Sequence, residues 1–225
     1  MHSELGPRLR RAREARGLSL RGVAAAVGVS ASMLSQVETG KTQPSVSTLY
    51  ALVGHLDVSL DDLMGNNASG GRVRSEREQP MATGRSASPD IIQRAADNPV
   101  IDMQNGVRWE RLAVGGGSLV DPLITIYQPG AGSSADGRLM RHSGVEYGYL
   151  LSGELTLEID SETYVLGAGD SLCFDSSRPH RYINNTAEPA TGLWLVVGRQ
   201  EQGPAGDPHG PDRSGAASVR PGRQA

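Results

Sequence analysis

Residues 19–41 read Ser19-Leu20-Arg21-Gly22-Val23-Ala24-Ala25-Ala26-Val27-Gly28-Val29-Ser30-Ala31-Ser32-Met33-Leu34-Ser35-Gln36-Val37-Glu38-Thr39-Gly40-Lys41. Ser19 and Ser30 stand where a helix needs an N-terminal cap, and Gly28 and Gly40 stand where a helix must stop. Between them, Val23, Ala24 and Val27, then Leu34 and Val37, recur at helical spacing, so the stretch predicts two short helices joined by a tight turn. Small Ala24 lets the two helices cross closely, and Gly28 relieves the backbone at the turn.

The same logic extends outward. Leu5, Leu9, Ala12 and Arg16 line one stripe of a preceding helix that Gly17 ends, Pro44 and Ser45 open a fourth helix with Leu49, Leu52 and Val53, and Ser59 caps a fifth with Leu60 and Leu63. Five short helices predict a compact bundle over residues 1–65. Residues 66–89 have no apolar periodicity and are expected to form a flexible linker, and residues 199–225 a disordered tail. From 90 to 198 the period changes to two. Glu154-Leu155-Thr156-Leu157-Glu158-Ile159-Asp160 alternates without a break, as a strand with one buried face does. Further strands are expected at Val107–Ala113, Leu123–Tyr127, Val145–Leu151, Ser171–Phe174 and Leu193–Val197, separated by Gly, Asp and Asn turns. The fold class is multidomain α plus β, the second domain an antiparallel β-barrel or sandwich.

Charge divides along the same boundary. The chain of 225 residues carries a net charge of -3. Residues 1–41 hold Arg8, Arg10, Arg11, Arg13, Arg16, Arg21 and Lys41 against Glu4, Glu14 and Glu38, whereas residues 100–198 hold six Arg against twelve acidic residues. A polyanion would meet the first segment. The single Cys173 excludes an internal disulfide framework and reads as a small core residue. The start, Met1-His2-Ser3-Glu4, lacks a secretory pattern and no apolar run is long enough for a bilayer. The expectation is a soluble, cytoplasmic protein with no membrane partner.

The stretch 19–41, with Glu38-x-Gly40-Lys41 and Pro44-Ser45 after it, resembles the helix-turn-helix of the phage-repressor-like family, often called XRE, over residues 5–64. That resemblance implies a five-helix DNA-binding bundle in which Ala31, Ser32, Ser35 and Gln36 face the major groove, while Ser30, Thr39, Lys41 and Thr42 reach phosphates. It also implies an internal salt bridge between Arg13 and Glu38. The expected partners are a double-stranded DNA operator and a second copy of the chain, since one recognition helix contacts few bases.

Two segments of the β-domain, Met140-Arg141-His142-Ser143-Gly144-Val145-Glu146 with Gly153, and Gly169-Asp170 with Pro179-His180 and Asn184, resemble the paired motifs of the cupin superfamily over about residues 120–197. Cupins commonly hold a metal with His-x-His, a Glu and a later His; here Met140 replaces the first. The resemblance therefore implies His142, Glu146 and His180 as ligands of a divalent Fe, Ni, Mn or Zn ion, with coordination positions left open. Four residues of straight strand span roughly 13 Å, so the chain must bend between His142 and Glu146, and Ser143-Gly144 is where it can. Arg138, Met140, Tyr147, Tyr149, Phe174 and Tyr182 are candidate pocket linings. A metal-free barrel that hydrogen-bonds an organic ligand stays open as an alternative. Together the two resemblances imply a transcription regulator whose barrel senses a small-molecule effector or metal. The alternative is an oxygen-dependent non-haem iron enzyme, epoxidase-like, sharing this architecture.

Overall fold

A computed structural model describes residues 4–64, 92–113 and 120–198. The expected linker at 66–89 and tail at 199–225 lie outside the described residues. Among those described, no single helix is long and apolar enough to cross a membrane.

The helical part contains α1 (Leu5–Ala15), α2 (Leu20–Val27), α3 (Ala31–Glu38), α4 (Val46–Leu56) and α5 (Leu60–Met64). The serines expected as caps act as caps: the hydroxyl oxygens of Ser19, Ser30, Ser45 and Ser59 accept from the backbone N–H of Gly22, Met33, Thr48 and Asp62. Each satisfies an N–H that the helix cannot pair internally. Gly28, at φ 76°, ends α2 in the left-handed region that a side chain would strain. Helices α2 and α3 meet at 110°, within the range of helix-turn-helix units. Gly6 lets α1 touch the end of α3, because a Cβ there would lie 2.2 Å from the Val37 carbonyl oxygen. The first helix departs from expectation in one respect. Arg13, not Arg16, turns inward, and Arg16 sits outside and pairs with Asp57.

The β-domain contains β1 (Val100–Asp102), β2 (Val107–Arg111), β3 (Val120–Tyr127), β4 (Val145–Ser152), β5 (Glu154–Ile159), β6 (Glu162–Gly167), β7 (Ser171–Asp175), β8 (His180–Ile183) and β9 (Ala190–Val197). They form a six-stranded sheet in the order β1-β2-β3-β9-β4-β7 and a three-stranded sheet β6-β5-β8, all neighbours antiparallel. The expected antiparallel β-domain is built as two sheets, and side chains of both meet in one core: Tyr182 of β8 reaches Glu146 of β4 and Trp194 of β9. Isolated pairs at Gly132–Ile183 and Met140–His180 extend the smaller sheet. The indole of Trp194 occupies space left by two glycines, since a Cβ on Gly192 would lie 2.1 Å from its ring and one on Gly148 3.0 Å. Cys173 is exposed rather than a core residue.

The two parts touch through α4. At its start, the Ser47 N–H donates to the Ser133 carbonyl at 2.9 Å, and the Gln104 N–H donates to the Pro44 carbonyl at 3.0 Å. One turn further on, Tyr50 packs edge-on against Trp109 of β2.

Candidate nucleic-acid interface and metal centre

Helix α3 buries Leu34, Val37 and Glu38 and leaves Ser32, Ser35 and Gln36 exposed together, one turn apart on a single face. Its frame is the buried pair behind it. Arg13 donates through Nε to Glu38 Oε1 at 2.7 Å and through a terminal nitrogen to Oε2 at 2.9 Å, and gives a further bond to the Leu18 carbonyl. That fork joins α1 to α3, as the resemblance implied, and also holds the loop before α2, and the hydrogen bond to Glu38 keeps the Arg13 guanidinium above its ordinary value. The remaining expected positions surround this face. Ser30 is exposed but its hydroxyl oxygen caps α3, Thr39 is exposed and its hydroxyl donates to the Ser35 carbonyl, Lys41 is exposed, and Ala31 and Thr42 are half-buried. Among the other cations of this segment, Arg8, Arg10 and Arg16 are engaged inside the domain by the Asp62 carbonyl, Glu14 and Asp57.

In the β-domain the three expected ligands converge, with ligand atoms of His142, Glu146 and His180 all within 4.8 Å of one another. The bend that this requires is present: Gly144 adopts φ 106°, and a Cβ there would meet the Val197 carbonyl oxygen at 2.7 Å. His142 therefore precedes β4, Glu146 lies on its inner face, and His180 opens β8. Each imidazole has its tautomer set from outside. Nδ1 of His142 lies 3.2 Å from the Ser143 carbonyl oxygen, and Nδ1 of His180 lies 2.8 Å from that of Arg178. A carbonyl only accepts, so Nδ1 carries the proton and the Nε2 lone pair is turned inward.

Those lone pairs meet a carboxylate. Nε2 of His142 and of His180 lie 2.7 Å and 3.2 Å from Glu146 Oε1, and the His180 nitrogen, fully buried, lacks a hydrogen bond of acceptable angle. Three acceptors crowding one point need a proton or a cation between them. Burial opposes the Glu146 charge, but where protons sit between the groups, hydrogen bonding from His142 and attraction from both imidazoles outweigh it and hold the carboxyl well below the usual carboxylate range. Its other oxygen accepts from the Tyr182 hydroxyl at 2.7 Å, which accepts in turn from Trp194 Nε1 at 3.2 Å. Burial first, and the Glu146 charge second, push the Tyr182 hydroxyl well above its usual value, so it stays a donor. Two imidazoles, one carboxylate and an outer layer that orients them make a donor set that could hold a divalent metal ion and leave positions open on it.

The expected pocket linings divide. Met140 and Tyr182 line the cavity beside Glu146, together with Val46, Tyr50, Trp109 and Thr125. Phe174, the cross-strand partner of Glu146, is buried edge-on to His180. Tyr147 and Tyr149 do not line it: strand alternation places them on the outer face of β4, 45% and 46% exposed. Arg138 is also outside, exposed and paired with Asp136, its guanidinium beside Gly28 of the α2–α3 turn. Tyr50 and Val46 were missed, because their spacing with Leu49 and Val53 reads as the bundle's own core.

A bundle built around an exposed recognition helix, joined to a two-sheet domain with a His-Glu-His cluster, defines a helix-turn-helix protein with a cupin domain. Family models agree: a helix-turn-helix family matches residues 9–63 and a cupin domain family residues 123–196. The HTH-type transcriptional regulator PuuR of Escherichia coli strain K12 is 30% identical over 184 residues, covering 81% of this chain and 88% of that protein. The chain belongs to this family of helix-turn-helix transcriptional regulators. The HTH-type transcriptional regulator SutR of the same organism is 25% identical over 180 residues, covering 80% of this chain and 86% of that protein. A crystal structure of an HTH_3 family transcriptional regulator from Vibrio cholerae shares the fold, with a TM-score of 0.58 at 23% identity over 87% of this chain and 96% of that one.

Proposed function

We propose that this regulator reads a two-fold symmetric DNA operator through Ala31, Ser32, Ser35 and Gln36, with Ser30, Thr39, Lys41 and Thr42 at phosphates, and that its cupin domain responds to a small effector at a metal held by His142, Glu146 and His180. The observation that carries the DNA reading is the solvent-facing set Ser32, Ser35 and Gln36 on a helix fixed from behind by Arg13 and Glu38. Serine and glutamine both donate and accept at base edges, and Lys41 supplies sequence-independent attraction. Pairing of two copies supplies the second recognition helix, and the exposed row Tyr147, Tyr149 and Leu151 is surface of the kind that subunit contacts cover.

In the β-domain the chain's own residues place lone pairs: Ser143 and Arg178 fix the tautomers, and Tyr182 turns the Glu146 carboxylate inward. A bound Fe, Ni, Mn or Zn ion would supply Lewis acidity and open positions for an oxygen or nitrogen ligand. Oxygen-dependent catalysis is favoured by no observation beyond the ligand set itself, and both E. coli relatives are transcriptional regulators.

The test is a titration of full-length chain against operator and unrelated duplexes. Gln36→Ala should lose roughly 1–3 kcal/mol at the operator and relax base preference. Lys41→Ala should weaken all duplexes alike and lower the salt slope by about 1. Equal behaviour of both variants and wild type would overturn the assignment of α3 to the groove.

A further inference from the structure

The face of His142 is covered by a residue of the other domain. Tyr50, from α4, stacks on the imidazole with ring centroids 4.0 Å apart and planes within 10°, and is only 6% exposed. Val46, one turn earlier, lines the same cavity. The space left beneath them is small, with room for about one water. A ligand larger than a water molecule that stacks on this face of His142 must take the place of Tyr50.

What remains in the cavity wall when the ring leaves is specific. Trp109 and Thr125 are cross-strand partners on β2 and β3, both line the cavity, and the Trp109 Nε1 and Thr125 Oγ1 are buried without a hydrogen-bond partner among the described residues. Indole N–H only donates, so the ligand best matched to this wall is small and planar, to stack on His142, and carries an oxygen acceptor.

The position of α4 is tied to the same wall. The Ser47 N–H donates to the Ser133 carbonyl; Ser133 is paired with the Tyr182 backbone through its own N–H and its hydroxyl oxygen; and the Tyr182 hydroxyl holds Glu146. A hydrogen-bonded path thus runs from the first turn of α4 to the carboxylate of the site.

We propose that the cupin site is shared with the DNA-binding domain and closed by it: Tyr50 is the lid over His142, and a small planar effector bearing an oxygen acceptor enters by displacing Tyr50 and so releasing α4 from the β-domain. The inference rests on the reading of the cupin domain as a sensor but needs neither a bound metal nor an operator. Effector binding and the docked position of the helix-turn-helix are therefore alternatives, and occupancy of one site shifts the other by the ligand's preference between the two arrangements.

The experiment uses full-length wild type, Tyr50→Phe, Tyr50→Leu and Tyr50→Ala, without added metal. Acrylamide quenching reports on Trp109 and Trp194, the chain's two tryptophans and both cavity-lining. Hydrogen exchange reports on the Ser47 amide. The probe is p-cresol, the tyrosine side chain as a free molecule. Tyr50→Phe should behave as wild type. Tyr50→Ala should be quenched several-fold more steeply and exchange Ser47 at least tenfold faster, with amides of α2 and α3 unchanged. Adding p-cresol should return quenching of Tyr50→Ala to the wild-type level while leaving Ser47 exchange fast, and Tyr50→Leu gives the same comparison if the alanine variant does not fold. Unchanged quenching in both truncated variants would overturn the lid. Unchanged Ser47 exchange would overturn the link to α4, and no effect of p-cresol would overturn the ligand class. Failure of the chain to bind metal or operator is measured separately and leaves these outcomes readable.

Discussion

On α3 the side chains offered to a partner, Ser32, Ser35 and Gln36, stand in water, and the charge that fixes them, the Arg13–Glu38 fork, is buried behind. Between β4 and β8 the arrangement is reversed: the carboxylate offered to a ligand, Glu146, is itself buried, and hydrogen bonds from farther out hold it. An exposed reading face tolerates loose side chains because the partner orders them, so only its backbone frame must be rigid. A metal-type site has no such latitude, since its donors must be placed before the ligand arrives. Mutation should therefore break the first through its frame and the second through its outer layer.

The largest effect is expected from the frame. Arg13→Ala leaves Glu38 buried and uncompensated, and should cost about 3–5 kcal/mol of stability, read as a fall in the urea midpoint of the chain. A change within experimental error would mean that the pair does not hold α1 to α3.

Acid should act on the β-domain next. The Glu146 carboxyl is held below its ordinary value in the folded protein, so its contribution to stability is complete above about pH 4.3, the ordinary glutamate value, and is lost as pH falls further. In chelator-treated protein the urea midpoint should drop between about pH 5 and pH 3, and Glu146→Gln should flatten that part of the curve. Identical curves would show that the imidazoles do not stabilise the charged carboxylate.

Smaller effects test the outer layer and the caps. Tyr182→Phe removes only the hydroxyl that orients Glu146, and should weaken cobalt(II) or nickel(II) binding about 10–100-fold in a competition titration with little change in fold. Ser30→Ala removes the cap of α3 and should cost about 1 kcal/mol, visible in the thermal midpoint and, for a helix held from behind, with unaltered base preference.

The same contrast explains what could be read from the sequence. The frame of the helical domain is local: Ser19, Ser30, Ser45 and Ser59 each bond within three residues, so caps and stops mark the elements before any tertiary contact is known. Helical spacing alone misplaced Arg16 on the apolar stripe, whereas the inward turn of Arg13 was legible only through the motif that pairs it with Glu38, 25 residues away. In the β-domain the convergence of His142, Glu146 and His180 was legible through their motifs and the bend through Gly144. Strands β1, with three residues, and β6, with four consecutive exposed positions, carry no usable alternation. The outward position of Tyr147 and Tyr149 was available from parity with Glu146 alone, since neighbours in a strand face opposite ways. Tyr50 was not available at all, because a core position in one domain and a lid on another have the same spacing.

Trp194 gives the site a hidden line of inheritance. Its indole lies close against Gly192 and Gly148, and from there it steadies Tyr182, which steadies Glu146. A descendant of this gene that keeps both histidines and the glutamate can still lose its binding chemistry by acquiring one methyl group at Gly192, on a strand that contributes no ligand. Relatives that retain the motif but carry a side chain at that position are expected to lose the Tyr182–Glu146 alignment, for the site is written in glycines as much as in histidines.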